Sequence, residues 1–202
     1  MVIAAFLLGV IISFAIFKAI HRQVTKDLDA RNNALTALRR LDEIMMSSLG
    51  LEDVAQRVTD AIALELKFEI GVLALVDDSV GMLRRVAMSR TPIGLETHKF
   101  LPVPYTQILI PLNQHDNLLI QALEEKKMKI THDMYDLFRP ALNEDTARKI
   151  QSTIGIKTSL VLPVFAKGER IGVMIISVSR EEKDITPYEL ELIEKLIDAM
   201  GI

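Results

Sequence analysis

Two apolar runs joined by Lys167-Gly168 make up most of Thr158 to Arg180, TSLVLPVFAKGERIGVMIISVSR. Leu160, Leu162 and Val164 share one face of a first strand. Lys167-Gly168 follows, a pair suited to the positive φ of a two-residue hairpin turn. The second run is apolar on both sides: Ile171, Val173 and Ile175 on one, Met174, Ile176 and Val178 on the other. Two apolar faces mark a strand covered on both sides, so the hairpin is expected at the middle of a sheet.

Helical spacing dominates elsewhere. Leu51 to Leu66 carries Val54, Val58, Ala61 and Ile62 on one stripe. Phe68 to Val76 predicts a strand, and Asp77-Asp78-Ser79 with Gly81 a turn from which Met82 to Met88 returns antiparallel. Arg90 to Tyr105 contains Pro92, Gly94, Pro102 and Pro104 and reads as loop. A short strand at Gln107 to Leu112, a helix at Asn117 to Glu125 and a strand at Met128 to Thr131 follow. Pro140 is placed in the first turn of a helix reaching Ile150. Thr186-Pro187-Tyr188-Glu189 is a helix start: Thr as N-cap, Pro at N1, Glu closing a capping box. Leu192, Ile193, Leu196, Ile197 and Met200 form its stripe.

The first part of the chain has a different character. Val2 to Phe17 is apolar except for Ser13, and at about 1.5 Å per residue it reaches roughly 25 Å. Lys18, His21, Arg22 and Lys26 follow, which places that flank in the cytoplasm. No basic region precedes the run, so an uncleaved anchor over residues 1–20 is expected rather than a signal peptide. Residues 21–49 lack Gly and Pro and carry Leu28, Leu35, Leu38, Leu41 and Met45 as an imperfect heptad. A parallel coiled coil and a linker helix packed on the next domain both satisfy this spacing; the coiled coil is favoured. Residues 50–202 form the folded domain.

Composition narrows the chemistry. The chain has 202 residues, a net charge of -3 and no cysteine, so disulfides, thiolate zinc sites and Cys nucleophiles are excluded. The charge balance and scarcity of aromatic residues give no nucleic-acid footprint. Asp77/Asp78 and Glu124/Glu125 are sequence neighbours and read as solvated charge. No nucleophile elbow, phosphate-cradling glycine loop or His-Glu-x-x-His is present, so this chain carries no catalytic motif and no metal site.

Leu162-Pro163-Val164, Gly168, Ile171-Gly172-Val173, then Thr186-Pro187 with Glu189-Leu190, resemble the C-terminal half of a GAF domain. Leu51 to Leu66 followed by Phe68 to Val76 resembles its opening, so the resemblance runs from about Ser48 to Ile202. It implies an α+β fold: an antiparallel sheet with the terminal helices on one face and a ligand cavity on the other. Anchor, helix and GAF domain in this order resemble bacterial sensors that continue into a histidine kinase core or a cyclic-dinucleotide cyclase. The resemblance thus implies a single-pass protein of the inner (cytoplasmic) membrane with its GAF domain in the cytoplasm. It also implies a homodimer through helices 22–49 and 186–202, a small-molecule ligand of unknown identity, and an output domain beyond Ile202. A ligand-free dimerisation scaffold is the alternative.

No cofactor is assigned. Bilin attachment through cysteine is excluded, and the spacing around Asn143-Glu144-Asp145 does not fit a cyclic-nucleotide signature. His98, His115 and His132 are formal haem ligands but read as solvated loop side chains. Residues 132–138 mix hydrogen-bonding groups with aromatic rings, and the resemblance places them over the cavity. The candidate ligand contacts are therefore Asp133, Tyr135, Phe138, Thr158 and Ser159.

Overall fold

In the computed structural model of the chain, the described residues are 18, 21–22, 24–26, 28–29, 31–40, 43–44 and 50–200, with the side chains of 199 and 200 excluded. The apolar run Val2–Phe17 lies outside them, as do Leu41 and Met45 of the heptad. Among the described residues no helix is long and apolar enough to cross a membrane.

The strands are β1 (Ile70–Asp77), β2 (Met82–Met88), β3 (Leu109–Pro111), β4 (Lys129–Thr131), β5 (Thr158–Ala166) and β6 (Glu169–Val178). They form one antiparallel sheet in the order β3-β2-β1-β6-β5-β4. Both strands of the β5–β6 hairpin are interior, but the central pair is β1–β6, so the hairpin lies one strand off the middle. Its turn residues Lys167 and Gly168 have φ of 51° and 86°, the doubly positive pair that matches strand twist.

The helices are α1 (helical over residues 31–40), α2 (Leu51–Glu65), α3 (Pro92–Thr97), α4 (Leu118–Glu125), α5 (Tyr135–Phe138), α6 (Glu144–Ile154) and α7 (Pro187–Met200). The sheet separates two cores. On one face Leu160, Leu162, Met174, Ile176 and Val178 pack against Val58 and Ile62 of α2 and Ile193 and Leu196 of α7. On the other, Ile70, Val72, Val161, Val173 and Ile175 meet Leu119 and Leu123 of α4, Leu137 and Phe138 of α5, and Ile150 of α6. The double apolar face of β6 is thus used on both sides.

Thr186 and Glu189 cap α7 reciprocally: Glu189 N–H donates to Thr186 Oγ1 at 3.2 Å, and Thr186 N–H donates to Glu189 Oε2 at 2.8 Å. Two boundaries differ from the sequence reading. The segment after Arg90 holds α3, because Thr91 Oγ1 accepts from Gly94 N–H at 3.1 Å and Pro92 occupies the first turn. Helix α6 starts at Glu144, not at Pro140, because Asn143 Oδ1 accepts from Thr146 N–H at 2.8 Å and fixes the helix start there.

Helix α1 lies on the α2–α7 side. Ala34, Ala37 and Ile44 join that core, with Leu38 packed at its edge. Arg31 stacks on Tyr188 of α7 with its guanidinium carbon 5.8 Å from the ring centroid, and Arg40 pairs with Glu65 of α2. Val24, Leu28 and Leu35 face away and are 50%, 60% and 61% exposed. All three are in helical conformation, and their sequence spacings of four and seven are those of one helical stripe. The helix therefore has two apolar faces, one packed on the domain and one uncovered by it.

Candidate functional site

The cavity lies on the sheet face opposite α2 and α7. Its floor is Ile70 and Val72 of β1, Arg85 and Met88 of β2, and Ile175 and Ser177 of β6. Thr97, Leu101, Tyr105 and Ile108 form one wall, and Met134, Leu137 and Phe138 close the top. Its volume is about 30 Å³, close to the share of liquid volume taken by one water molecule.

Arg85 is the one charged side chain of this lining, and it is 3% exposed. The pairing of β1 with β2 shifts between Leu73/Ala74, where Leu73 faces Ala87 and Ala74 faces Arg85. The irregularity leaves Val86 and Ala87 with the helix-side core, while Arg85 and Met88 both reach the cavity. The guanidinium donates to Leu137 O at 2.7 Å and to Ile108 O at 3.4 Å. It lies 4.7 Å from the Phe138 ring centroid. Among the described residues no carboxylate lies within ion-pair distance of it. Burial pushes its pKa down to about 10, so it remains a cation at neutral pH.

The candidate residues take different positions. Phe138 lines the cavity. Ser159 lies beneath it, its hydroxyl 2.8 Å from that of Ser177, which reaches the cavity itself. Tyr135 packs beside the cavity-side core and under the Arg139 guanidinium. Asp133 organises the entry to α5: Oδ1 accepts from Tyr135 N–H at 2.9 Å, and Oδ2 accepts from Arg148 Nη2 at 2.9 Å. Thr158 is one residue out of phase with Ser159 and donates to Arg180 O at 2.8 Å. Successive strand side chains alternate faces, so Thr158 is on the α2–α7 side. Arg85 was not among the candidates, although its place two residues from Leu83 in MLRRVAM puts both on one side of a strand.

His98, His115 and His132 are exposed. His98 makes an edge contact with Tyr105, His115 meets Glu124 at 2.7 Å and His132 meets Glu182 at 2.9 Å. Among the described residues no three potential metal ligands cluster.

Burial raises the Asp133 pKa, but the Tyr135 N–H and the Arg148 guanidinium outweigh it and hold the carboxyl below its ordinary 3.8. A depressed carboxylate pKa stabilises the fold above the unfolded value, and that stability is lost as pH falls through the folded value. Asp133→Asn is expected to cost about 0.5–1 kcal/mol near neutral pH. That cost should shrink as pH falls below the ordinary carboxyl value and the Asp133 carboxyl is protonated. Urea unfolding of variant and wild type at neutral and acidic pH checks this.

A six-stranded antiparallel sheet with two terminal helices on one face and a small pocket under α5 on the other defines an α+β domain. The chain matches the family described as "GAF domain" over residues 48–202, and it belongs to that family of sensory and regulatory signalling modules. No curated protein matches the chain in sequence. Solved structures share the fold. The GAF domain of an Acinetobacter phosphoenolpyruvate-protein phosphotransferase has a TM-score of 0.60 at 16% identity, covering 83% of this chain and 89% of that one. The phycoerythrobilin-bound GAF domain of a cyanobacterial phytochrome has 0.60 at 18%, covering 85% and 94%. A methyl-accepting chemotaxis protein has 0.57 at 17%, covering 80% and 92%.

Proposed function

We propose that the chain is the membrane-anchored sensory part of a signal-transduction protein, a sensor histidine kinase, in which the GAF domain receives a small molecule and paired helices carry the signal. One observation carries this reading. Strand β6 places Ile175 and Ser177 in the cavity and Met174, Ile176 and Val178 against the core shared by α1, α2 and α7. A displacement at the cavity is therefore felt directly by the helices on the other face. Such coupling is typically about 1–3 kcal/mol, enough to shift a helix pair between two packings.

The apolar run Val2–Phe17 with its basic flank supplies the anchor, and the uncovered line Val24, Leu28 and Leu35 supplies the pairing face. The cavity of about 30 Å³ supports a second reading, a ligand-free dimerisation scaffold. A cyclic-dinucleotide cyclase is the alternative output. The anchor is tested by expressing the chain in a bacterium and washing the membranes with alkaline carbonate. The protein is expected to stay in the membrane pellet, with its GAF domain protected from protease added outside spheroplasts. Release into the wash, or digestion from outside, would refute the anchored reading.

A further inference from the structure

We infer that the cavity under α5 takes a small monocarboxylate with an apolar body, its carboxylate seated on Arg85. This rests on the sensory reading above and specifies the ligand class. A guanidinium has five N–H donors, and Arg85 uses two, one of them at the long distance of 3.4 Å. Three donors are left on a cation that is 3% exposed and has no carboxylate partner among the described residues. A buried charge held by two carbonyl dipoles and the face of Phe138 is costly, and a bidentate carboxylate is the group that matches its fork.

The rest of the lining sets the class. The hydroxyls of Thr97, Tyr105 and Ser177 are already bonded to Ile93 O, Val86 O and Ser159, and the remaining residues, such as Ile70, Val72, Met88 and Ile175, offer apolar surface. One cation in apolar walls suits one anionic end and a hydrocarbon body; a polyphosphate or a nucleotide would leave its other polar groups unpaired. The carbonyl of Leu137 accepts from Arg85 at 2.7 Å, where the carboxylate would sit. Entry therefore exchanges the Leu137 bond for the carboxylate and moves Leu137 and Phe138 outward. The short helix α5 then follows the ligand, and the binding event has a mechanical consequence.

The test uses the full chain in mild detergent and thermal unfolding. The probes are butyrate, isovalerate and 3-phenylpropionate, each beside its amide of the same shape. At least one carboxylate is expected to raise the Tm by several degrees, with no effect of its amide. Arg85→Met removes the charge at similar volume and is expected to fold at the wild-type Tm or above, with no carboxylate response. Arg85→Lys keeps the charge without the fork and is expected to show a reduced response, which supports the assignment even if the Met variant does not fold. Equal stabilisation by acid and amide overturns the anion site while leaving small-molecule sensing intact. A carboxylate response that survives in either variant at full size also overturns it. No response to any probe overturns it and favours the ligand-free scaffold.

Discussion

Gly172→Ala is expected to cost about 3 kcal/mol, the upper end for forcing extra volume into a packed interior. Gly172 stands in β6 opposite Leu75 of β1 and Val164 of β5. A Cβ there would lie 2.1 Å from the Ala74 carbonyl oxygen and 3.0 Å from the Leu75 Cα. Both are backbone atoms, so no rotamer change relieves the clash, and the central strands must separate. The strand pair that parts is also the one joining the two cores. Against a total stability of about 5–15 kcal/mol this is a large fraction. Equilibrium urea unfolding measures it as a lowered midpoint. A midpoint equal to wild type would show that β1 and β6 do not approach this closely.

The second large effect is expected on association. Leu28 and Leu35 are uncovered by the domain, and in a parallel pair they would bury against their equivalents. Burying a leucine is worth roughly 1.5–3 kcal/mol, and a pair of chains buries four. Replacing both with glutamate removes that term and sets like charges across the seam. The dissociation constant of Leu28→Glu/Leu35→Glu is expected to rise at least about a thousandfold, which corresponds to roughly 4 kcal/mol. The domain itself is expected to keep its wild-type unfolding, because Ala34, Ala37 and Ile44, which pack on it, are untouched.

Much of the scaffold was legible because its signals are local. Lys167-Gly168 names its own turn, and β6 declares its position through two apolar faces. Thr186 and Glu189 announce α7 by a spacing that the hydrogen bonds reproduce. Helix α3 was missed although Thr91-Pro92 repeats the Thr-Pro start of α7, because Gly94 and the neighbouring prolines read as loop. Gly94 is required there: a Cβ would meet the Ser89 carbonyl oxygen at 2.1 Å. The cavity was less legible than the sheet. A charged residue in a strand is normally on its wet face, so Arg85 was passed over although alternation from Leu83 places it on the cavity side; the pairing irregularity at Val86 brings Met88 to that side as well. Asp133 has the composition of a ligand contact, but its oxygens are taken by Tyr135 N–H and Arg148. Residues 132–138 were singled out for hydrogen-bonding groups and aromatic rings; of these the cavity takes Phe138, with the apolar Met134 and Leu137 beside it.

The two alternatives for the segment before the domain, coiled coil or packed linker, are compatible in this geometry. One face of α1 is buried on α2 and α7, and the line of Val24, Leu28 and Leu35 is open. Signalling by a rearranged helix pair requires that the open line be occupied by a second chain. Sedimentation velocity of the wild-type chain in mild detergent, corrected for bound detergent, measures this directly. The account predicts the mass of two chains at micromolar concentration; the mass of one chain, with Leu28 and Leu35 intact, would contradict it.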